Sequence, residues 1–587
     1  DKDDQLVPES EIFERYRDEV VARSGVRFFH DDGPLHDGYT PESAMVFLDR
    51  DITFTVEDET EARSYAEADP QFTVIEQTAF GEWQVTRKSG AQVRVPRRAT
   101  LNRRIGGLFP TDFDPARWGI PASMLDSIDP IAVWNLVSAV DAFVSAGFSP
   151  AELLRVVHPA TVASTQGTGF GGMRSMHKLF VDRFLGEEYP QDILQETLPN
   201  VVAAHTMQSY VGGYGSMINP VGACATAAVS IEEGVDKIKA GKADFVVAGA
   251  IDDIQVESIV GFGAMNATAN SNELLARGIS SRFVSRANDR RRGGFVEAQG
   301  GGTVLLTRAS VALDMNLPVL AVVGHAQTFS DGAHTSIPAP GLGALAVARG
   351  GRDSVIARNL GELGVGIDDV AFVSKHDTST NANDPNESDL HTRVGMALGR
   401  TPGNPLLVIS QKTLTGHAKG GACVFQVGGI IDVFRTGLIP ANVALDCVDD
   451  AMEQYSPLVW LRSPLDLSSR GPVRAAFATS LGFGHVSGFL ALVNPAAFEA
   501  IVEREAGRER LEAWRTASDR RLRNGQRHIE MGMLGHAPLF TSVEGRRLPD
   551  DPAAGIAGDA HEVEAAILLD PSARLGEDGF YHLPEGK

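Results

Sequence analysis

The chain has 587 residues, a formal charge of −23, 43% hydrophobic and 22% charged residues, 61 Gly, 30 Pro and three Cys. This ordinary globular composition excludes a disordered, collagenous or disulfide-stapled protein, and the acidity disfavours a nucleic-acid binder, since no basic block is longer than Arg290-Arg291-Arg292. No run of 18 apolar residues marks a membrane span and the polar start DKDDQLVPES is no signal peptide, so the reading is a cytoplasmic protein. The length allows about three to five domains at roughly 100–200 residues each.

Residues 1–115 mix short helical and strand-like patches with charged stretches such as ESEIFERYRDEVVARSG, and read as a connecting or inserted region. From about residue 119 to 494 apolar strands alternate with helices and Gly-rich turns, the texture of an α/β architecture. A helix is expected over 130–146, with Asp129 as N-cap, Pro130 at the first position, Ile131, Trp134, Val137, Val140 and Val144 on one face, and Gly147 as the stop. The stretch HPATVASTQ reads as a poor strand, so the GxGxxG match that follows, Gly167 to Gly172, is not taken for a dinucleotide loop. Asp126-Ser127-Ile128 looks like a phosphopantetheine attachment triplet, but it precedes an amphipathic helix and Ser127 is read as structural. A helix beginning at Cys224 and running to Gly241 should lead into a strand at 244–250. Further strands are expected at 370–373, 406–410, 473–480 and 488–493, with a helix over 418–436 ending at Gly437 and a charged helical tail beyond 495.

Cys224, Cys423 and Cys447 are sparse, odd in number and without CxxC, which leaves at least one free thiol and no zinc module. In Asn219-Pro-Val-Gly-Ala-Cys224-Ala-Thr-Ala a small-residue turn delivers a cysteine to the first turn of a helix. There, unpaired N–H groups and the helix dipole favour thiolate over thiol, as a covalent nucleophile requires. The competing reading is a buried structural cysteine. Two histidines follow strands at turns, His376 in Ser374-Lys-His376-Asp-Thr378-Ser-Thr380 and His417 in Gln411-Lys412-Thr-Leu-Thr-Gly-His417. Strand C-termini are where α/β sheets bind ligands. Metal ligation by Cys224, His376 and His417 is the weaker rival, with no HExxH or similar spacing to support it. The loop Ser480-Leu-Gly482-Phe483-Gly484 lies between two strands and is either a plain turn or an exposed N–H donor with a pocket-lining Phe.

With Cys224, His376 and His417 in that order, and with the phrases GACATA, KHDTSTNANDPNE, QKTLTGHAKGGA, GFVEAQGGG and IPAPG, the chain resembles the β-ketoacyl synthase segment of fungal and bacterial type I fatty acid synthases. The likeness is close over about 119–495, and the late LLDPSAR (568–574) is similar to the end of the same segment. It implies a thiolase-like αβαβα fold of two similar halves, 116–312 and 313–495, flanked by 1–115 and by a helical extension 496–587. It also implies a homodimer, excised from a multifunctional polypeptide, that condenses malonyl and acyl groups borne by an acyl carrier protein, with no metal or redox cofactor. Carried over by position, Cys224 is the acyl acceptor and His376 and His417 face the decarboxylating malonyl thioester. Lys412 is a structural lysine, Thr378 and Thr380 contact the phosphopantetheine arm, Asp384 and Glu387 support the site, and Phe483 gates it. Asp377, His485 and Gln426 depart from discrete synthases, which have Gly, Gly and often Glu there. A coenzyme A-dependent thiolase would want a second cysteine near Gly484-His485, and a silent scaffold partner would not need Cys224.

Overall fold

Two β-sheets with helices between them and on both outer faces form the frame of the protein. The computed structural model describes residues 7–29, 39–110, 113–182, 188–333, 340–543 and 560–582; the first three residues of the IPAPG phrase, 337–339, lie outside them. The first sheet has the order Gly300–Thr307, Phe245–Asp252, Val162–Ser164. The second runs Val322–Ser330, Val486–Val493, Ala475–Gly482, Val370–Ser374, Leu406–Ile409, Leu458–Trp460. All eight residues of Phe245–Asp252 are buried, which is why this strand reads as a continuous apolar run and not as an alternation.

Helices Thr226–Lys239 and Ala422–Thr436 fill the space between the sheets. Ala227, Ala228 and Ile231 of the first and Val427, Ile430 and Val433 of the second share one core with Val246 and Ala248 of one sheet and Phe372, Ala476 and Leu490 of the other. Each fully buried Ile or Phe here contributes about 1.5–3 kcal/mol. Helices Val355–Glu362 and Asn383–Ala397 cover the far face of the second sheet through Ile356, Leu360, Leu390 and Val394. The expected α/β/α/β/α layering is therefore present.

The outer layer on the first sheet is helix Pro130–Ser145, capped as expected by the Asp129 carboxylate accepting from Ile131 N at 3.0 Å. It ends at Gly147 (φ +74°), where a Cβ would lie 2.1 Å from the Arg521 carbonyl. That carbonyl belongs to the long C-terminal helix Arg508–Met533, which buries Leu511 and Trp514 in the same core. The charged tail is thus part of the outer layer.

At the N-terminus, Val26–Phe28 pairs antiparallel with Ile105–Gly107, and a Cβ on Gly107 would strike the Thr415 carbonyl at 2.3 Å. Between these strands a ribbon (Tyr39–Phe47 with Gln92–Thr100) carries a three-stranded sheet and helix Glu59–Ala68 around Val56, Ala62 and Val85.

One expectation fails. The stretch 158–166 contains a strand, Val162–Ser164, parallel to Phe245–Asp252, because that neighbouring strand supplies the ladder that its composition does not advertise. The Gly167–Gly172 loop that follows spends its donors internally: Thr168 Oγ1 and Gly169 N donate to Asp252 at 2.8 and 2.9 Å. Ser127 donates to the Ser123 carbonyl within its own short helix. Among the described residues no single helix is long and apolar enough to cross a membrane.

Candidate active site

Cys224 lies in a 3-10 turn, Ala223–Ala225, and the α-helix proper starts at Thr226, two residues later than expected. Its backbone is pinned from the second sheet. Ser480 Oγ donates to the Cys224 carbonyl at 2.8 Å, and the Gly482 position would place a Cβ 2.4 Å from the Gly222 carbonyl. Only glycine allows the 480–484 loop so close, and that approach aims the Phe483 N–H at the Cys224 sulfur. The thiol itself opens into a cavity of about 580 Å³.

His376 follows strand Val370–Ser374. Its N–H donates to Glu387 Oε1 at 2.5 Å, and its carbonyl and Nδ1 accept from Lys412 Nζ at 2.5 and 3.1 Å. An acceptor Nδ1 leaves the ring proton on Nε2. His417 is held through its backbone, its N–H donating to Val296 O at 2.7 Å and its carbonyl accepting from Ala298 N at 3.1 Å. The two imidazoles meet edge to face with centroids 5.1 Å apart. Cys224 Sγ and one ring nitrogen of each His lie within 4.8 Å of one another, all three side chains buried. The weaker rival, metal ligation, shares this geometry.

Burial pushes the Cys224 thiol up to about 11, against the pull of Lys412, Lys419 and the Phe483 N–H. Desolvation of the sulfur therefore outweighs the helix start, and the resting group is a thiol and not the expected thiolate. Burial, reinforced by Lys412, holds both His376 and His417 well below the ordinary imidazole range, so both are neutral.

Behind the His pair lies a buried ionic floor. Glu387 also accepts from Asp377 N at 2.9 Å and from Thr479 Oγ1, while Asp384 accepts from Asn288 N at 2.8 Å and faces Arg292. Burial raises Asp384, whereas Glu387 is lowered because His391 and Lys375 outweigh its own desolvation. Burial likewise lowers Lys412. The three departures acquire local reasons. Asp377 keeps the left-handed backbone of a glycine (φ +38°) and pairs with Lys375 Nζ at 2.6 Å. His485 (φ +63°) pairs with Asp331 at 3.3 Å. Gln426 Nε2 donates to the carbonyls of Ser374, Lys375 and Thr479 at 2.8, 3.0 and 3.1 Å, tying the ends of two strands together.

Cys224, His376, His417, Thr378, Thr380 and Phe483 all line the cavity. Lys412, Asp384 and Glu387 stand behind it. The hydroxyls of Thr378 and Thr380 are 3.0 Å apart. The sequence reading missed Phe262 and Phe295, whose rings run from Phe483 to His417 at centroid spacings of 5.9, 5.2 and 5.2 Å. It also missed Lys375, Lys419 and Asp252. Lys375 adjoins His376 and Lys419 is two residues from His417, so basic neighbours of the two histidines were the signal available.

The models of the β-ketoacyl synthase N-terminal and C-terminal domains match residues 73–312 and 320–446. Together they span more than half of the chain. The chain belongs to the β-ketoacyl synthase family. As a ketoacyl synthase it is an acyl-transferring condensing enzyme. It is 31% identical, over 97% of its length, to the fatty acid synthase alpha subunit pigJ of Monascus ruber, of which it covers 34%. It is 29% identical over 98% to the fatty acid synthase subunit alpha of Saccharomyces cerevisiae, covering 34%, and 32% identical over 99% to fatty acid synthase 2 of Mycosarcoma maydis, covering 15%. The ketoacyl synthase chain thus spans about a third of these curated relatives or less. The solved ketosynthase FabY from P. aeruginosa superposes with a TM-score of 0.79 at 22% identity, over 95% of this chain and 86% of that one, which places the fold among thiolase-like ketosynthases.

Proposed function

We propose that the protein elongates fatty acyl chains by decarboxylative Claisen condensation, using substrates carried as phosphopantetheine thioesters on an acyl carrier protein or domain, and that it works as a cytoplasmic homodimer without metal or redox cofactor. The observation that carries this reading is the meeting of one thiol with two neutral imidazoles at the floor of a cavity.

In the first half-reaction the Cys224 sulfur gives up its proton and attacks the acyl thioester carbonyl. The new S–C bond replaces the carrier's, and the carrier thiol leaves with the proton. The N–H groups of Cys224 and Phe483, brought together by the close approach of Gly482, are the donors for the tetrahedral oxyanion. In the second, the malonyl carboxylate leaves as carbon dioxide and its electron pair becomes an enolate. His376 donates to the enolate oxygen from Nε2, the proton position set by Lys412 on Nδ1, and His417 donates beside it. The enolate carbon then attacks the acyl-Cys224 carbonyl, the C–S bond breaks, and the thiolate takes up a proton from solvent water, the one net proton that the decarboxylation consumes. Neutral imidazoles suit this step, since an imidazolium would protonate the carbanion. In this reading Thr378 and Thr380, which line the cavity, meet the pantetheine arm, and Phe483 covers the thiol.

The test supplies purified protein with acyl and malonyl carrier thioesters and follows β-ketoacyl product and carbon dioxide by mass spectrometry. Cys224→Ala is expected to lower condensation by about 10⁴-fold or more. Unchanged product formation in that variant would sink the reading.

A further inference from the structure

A buried ion pair lies directly behind His417. Lys419 is 1% exposed, and its Nζ stands 2.8 Å from Glu297 Oε2 and donates to the Asp253 carbonyl at 2.8 Å. Its backbone is left-handed (φ +46°), a conformation that a lysine keeps only where its surroundings over-determine it. Those surroundings converge on the site. Glu297 is the bridge partner of His417 in the extended segment 296–298, whose Val296 carbonyl and Ala298 N–H clamp the His417 backbone. The next residue, Gly420, donates its N–H to Asp252 at 2.7 Å, and a Cβ on it would lie 2.9 Å from the Thr226 side chain, two residues after the nucleophile.

A buried ion pair is weak support for stability compared with apolar packing of the same volume. Its place between the Cys224 helix and the His417 turn therefore calls for another account. The charged and titratable groups around His417 are Lys412, Lys419, His376 and Cys224, with Glu297 paired to Lys419 and Asp252 facing both Lys419 and Cys224. Lys419 favours the neutral form of His417 and the thiolate form of Cys224.

We propose that Lys419, with Glu297 as its counter-ion, is a positioning residue of the condensing site: it fixes the His417 turn against the Cys224 helix and keeps a positive charge facing both. This rests on the condensing reading above.

The deciding variant is Lys419→Met/Glu297→Met, which removes both charges without leaving one buried alone; Lys419→Met by itself strands Glu297 and serves only as a stability control. The double variant is expected to fold, to lose about 10- to 100-fold in condensation turnover with KM for the malonyl thioester within about twofold, and to shift the acid limb of its pH profile to higher pH. Iodoacetamide labelling of Cys224, followed without substrate over about pH 6 to 9, is expected to slow about threefold or more. A folded double variant with wild-type turnover, acid limb and labelling rate would overturn the proposal. Because labelling needs no turnover, a wild-type protein that fails to condense would count against the function, whereas unchanged labelling would count against Lys419.

Discussion

Around Cys224 the neighbours along the chain are Gly222, Ala223, Ala225 and Thr226, and the contacts that hold its backbone are neutral, from Ser480 and the Gly482 loop. Behind His376 the neighbours are Lys375, Asp377, Asp384, Glu387 and Lys412, all buried. Cys224 thus has a largely apolar seat, and the buried charges that bear on it are Lys412 and Lys419 of the turn 412–419, which favour the thiolate, and Asp252, which opposes them. Burial keeps the thiol in such a seat protonated, and burial reinforced by Lys412 keeps the two imidazoles neutral. In the proposed reaction, dividing the labour this way lets one cavity run an acylation that needs a nucleophile and a decarboxylation that needs only hydrogen-bond donors.

The largest expected effect breaks the two sides apart. Cys224→Gln should abolish condensation, by about 10⁴-fold or more, yet keep releasing carbon dioxide from malonyl thioester; loss of both activities in a folded variant would mean that the sides do not act separately. Next, His376→Ala should lower condensation about 10²- to 10³-fold while acyl transfer to Cys224, read by intact-protein mass spectrometry, continues. Equal loss of both steps would assign His376 to the thiol side. Lys412→Met removes the Nδ1 donor and frees the His376 tautomer, so decarboxylation should fall about 10²-fold with acylation less affected.

Stability sharpens the same contrast. Glu387→Gln, which puts an amide NH₂ where one carboxylate oxygen accepts from the buried N–H groups of His376 or Asp377, should cost about 3 kcal/mol in urea unfolding, whereas Ser480→Ala on the thiol side should cost about 1 kcal/mol. Comparable losses would erase the distinction. The smallest effects are in pH. The folded His pair is harder to protonate than the unfolded one, so its contribution is present above the ordinary value of 6.5 and is lost as pH falls below it. The Cys224 thiol is raised from 9.0 to about 11, so its contribution is present below 9 and is lost as pH rises towards 11, at most about 3 kcal/mol. Denaturation curves of His376→Asn/His417→Asn and of Cys224→Ala across pH should flatten the acid and the alkaline limb respectively.

Much of the core was readable because its physics is local. Asp129-Pro130 and Gly147 bracket a helix wherever they occur with that apolar periodicity, and Gly437 (φ +71°) closes the 422–436 helix in the same way. The weak strand Val162–Ser164 was not readable, since three residues acquire strand geometry only from the ladder beside them. The long tail helix was legible as a helix but not as a wall of the first half, because Gly525 against the Val144 carbonyl is a contact across 381 residues of chain.

For the site the division is sharper. Cys224, His376 and His417 could be named from small-residue turns and strand ends, because those placements depend on neighbours within a few residues. Their protonation could not, and the expectation of a resting thiolate was reversed by desolvation, a property of everything packed around the sulfur. Nor could the contacts of Lys419 and Asp252 be read, since Lys419 meets Glu297 and Gly169 meets Asp252 only when distant segments converge. By itself the sequence determined which residues can do the chemistry, through backbone preferences that act locally. The tertiary structure alone decided their charge states and spacing, because burial and electrostatics depend on what surrounds a group in space.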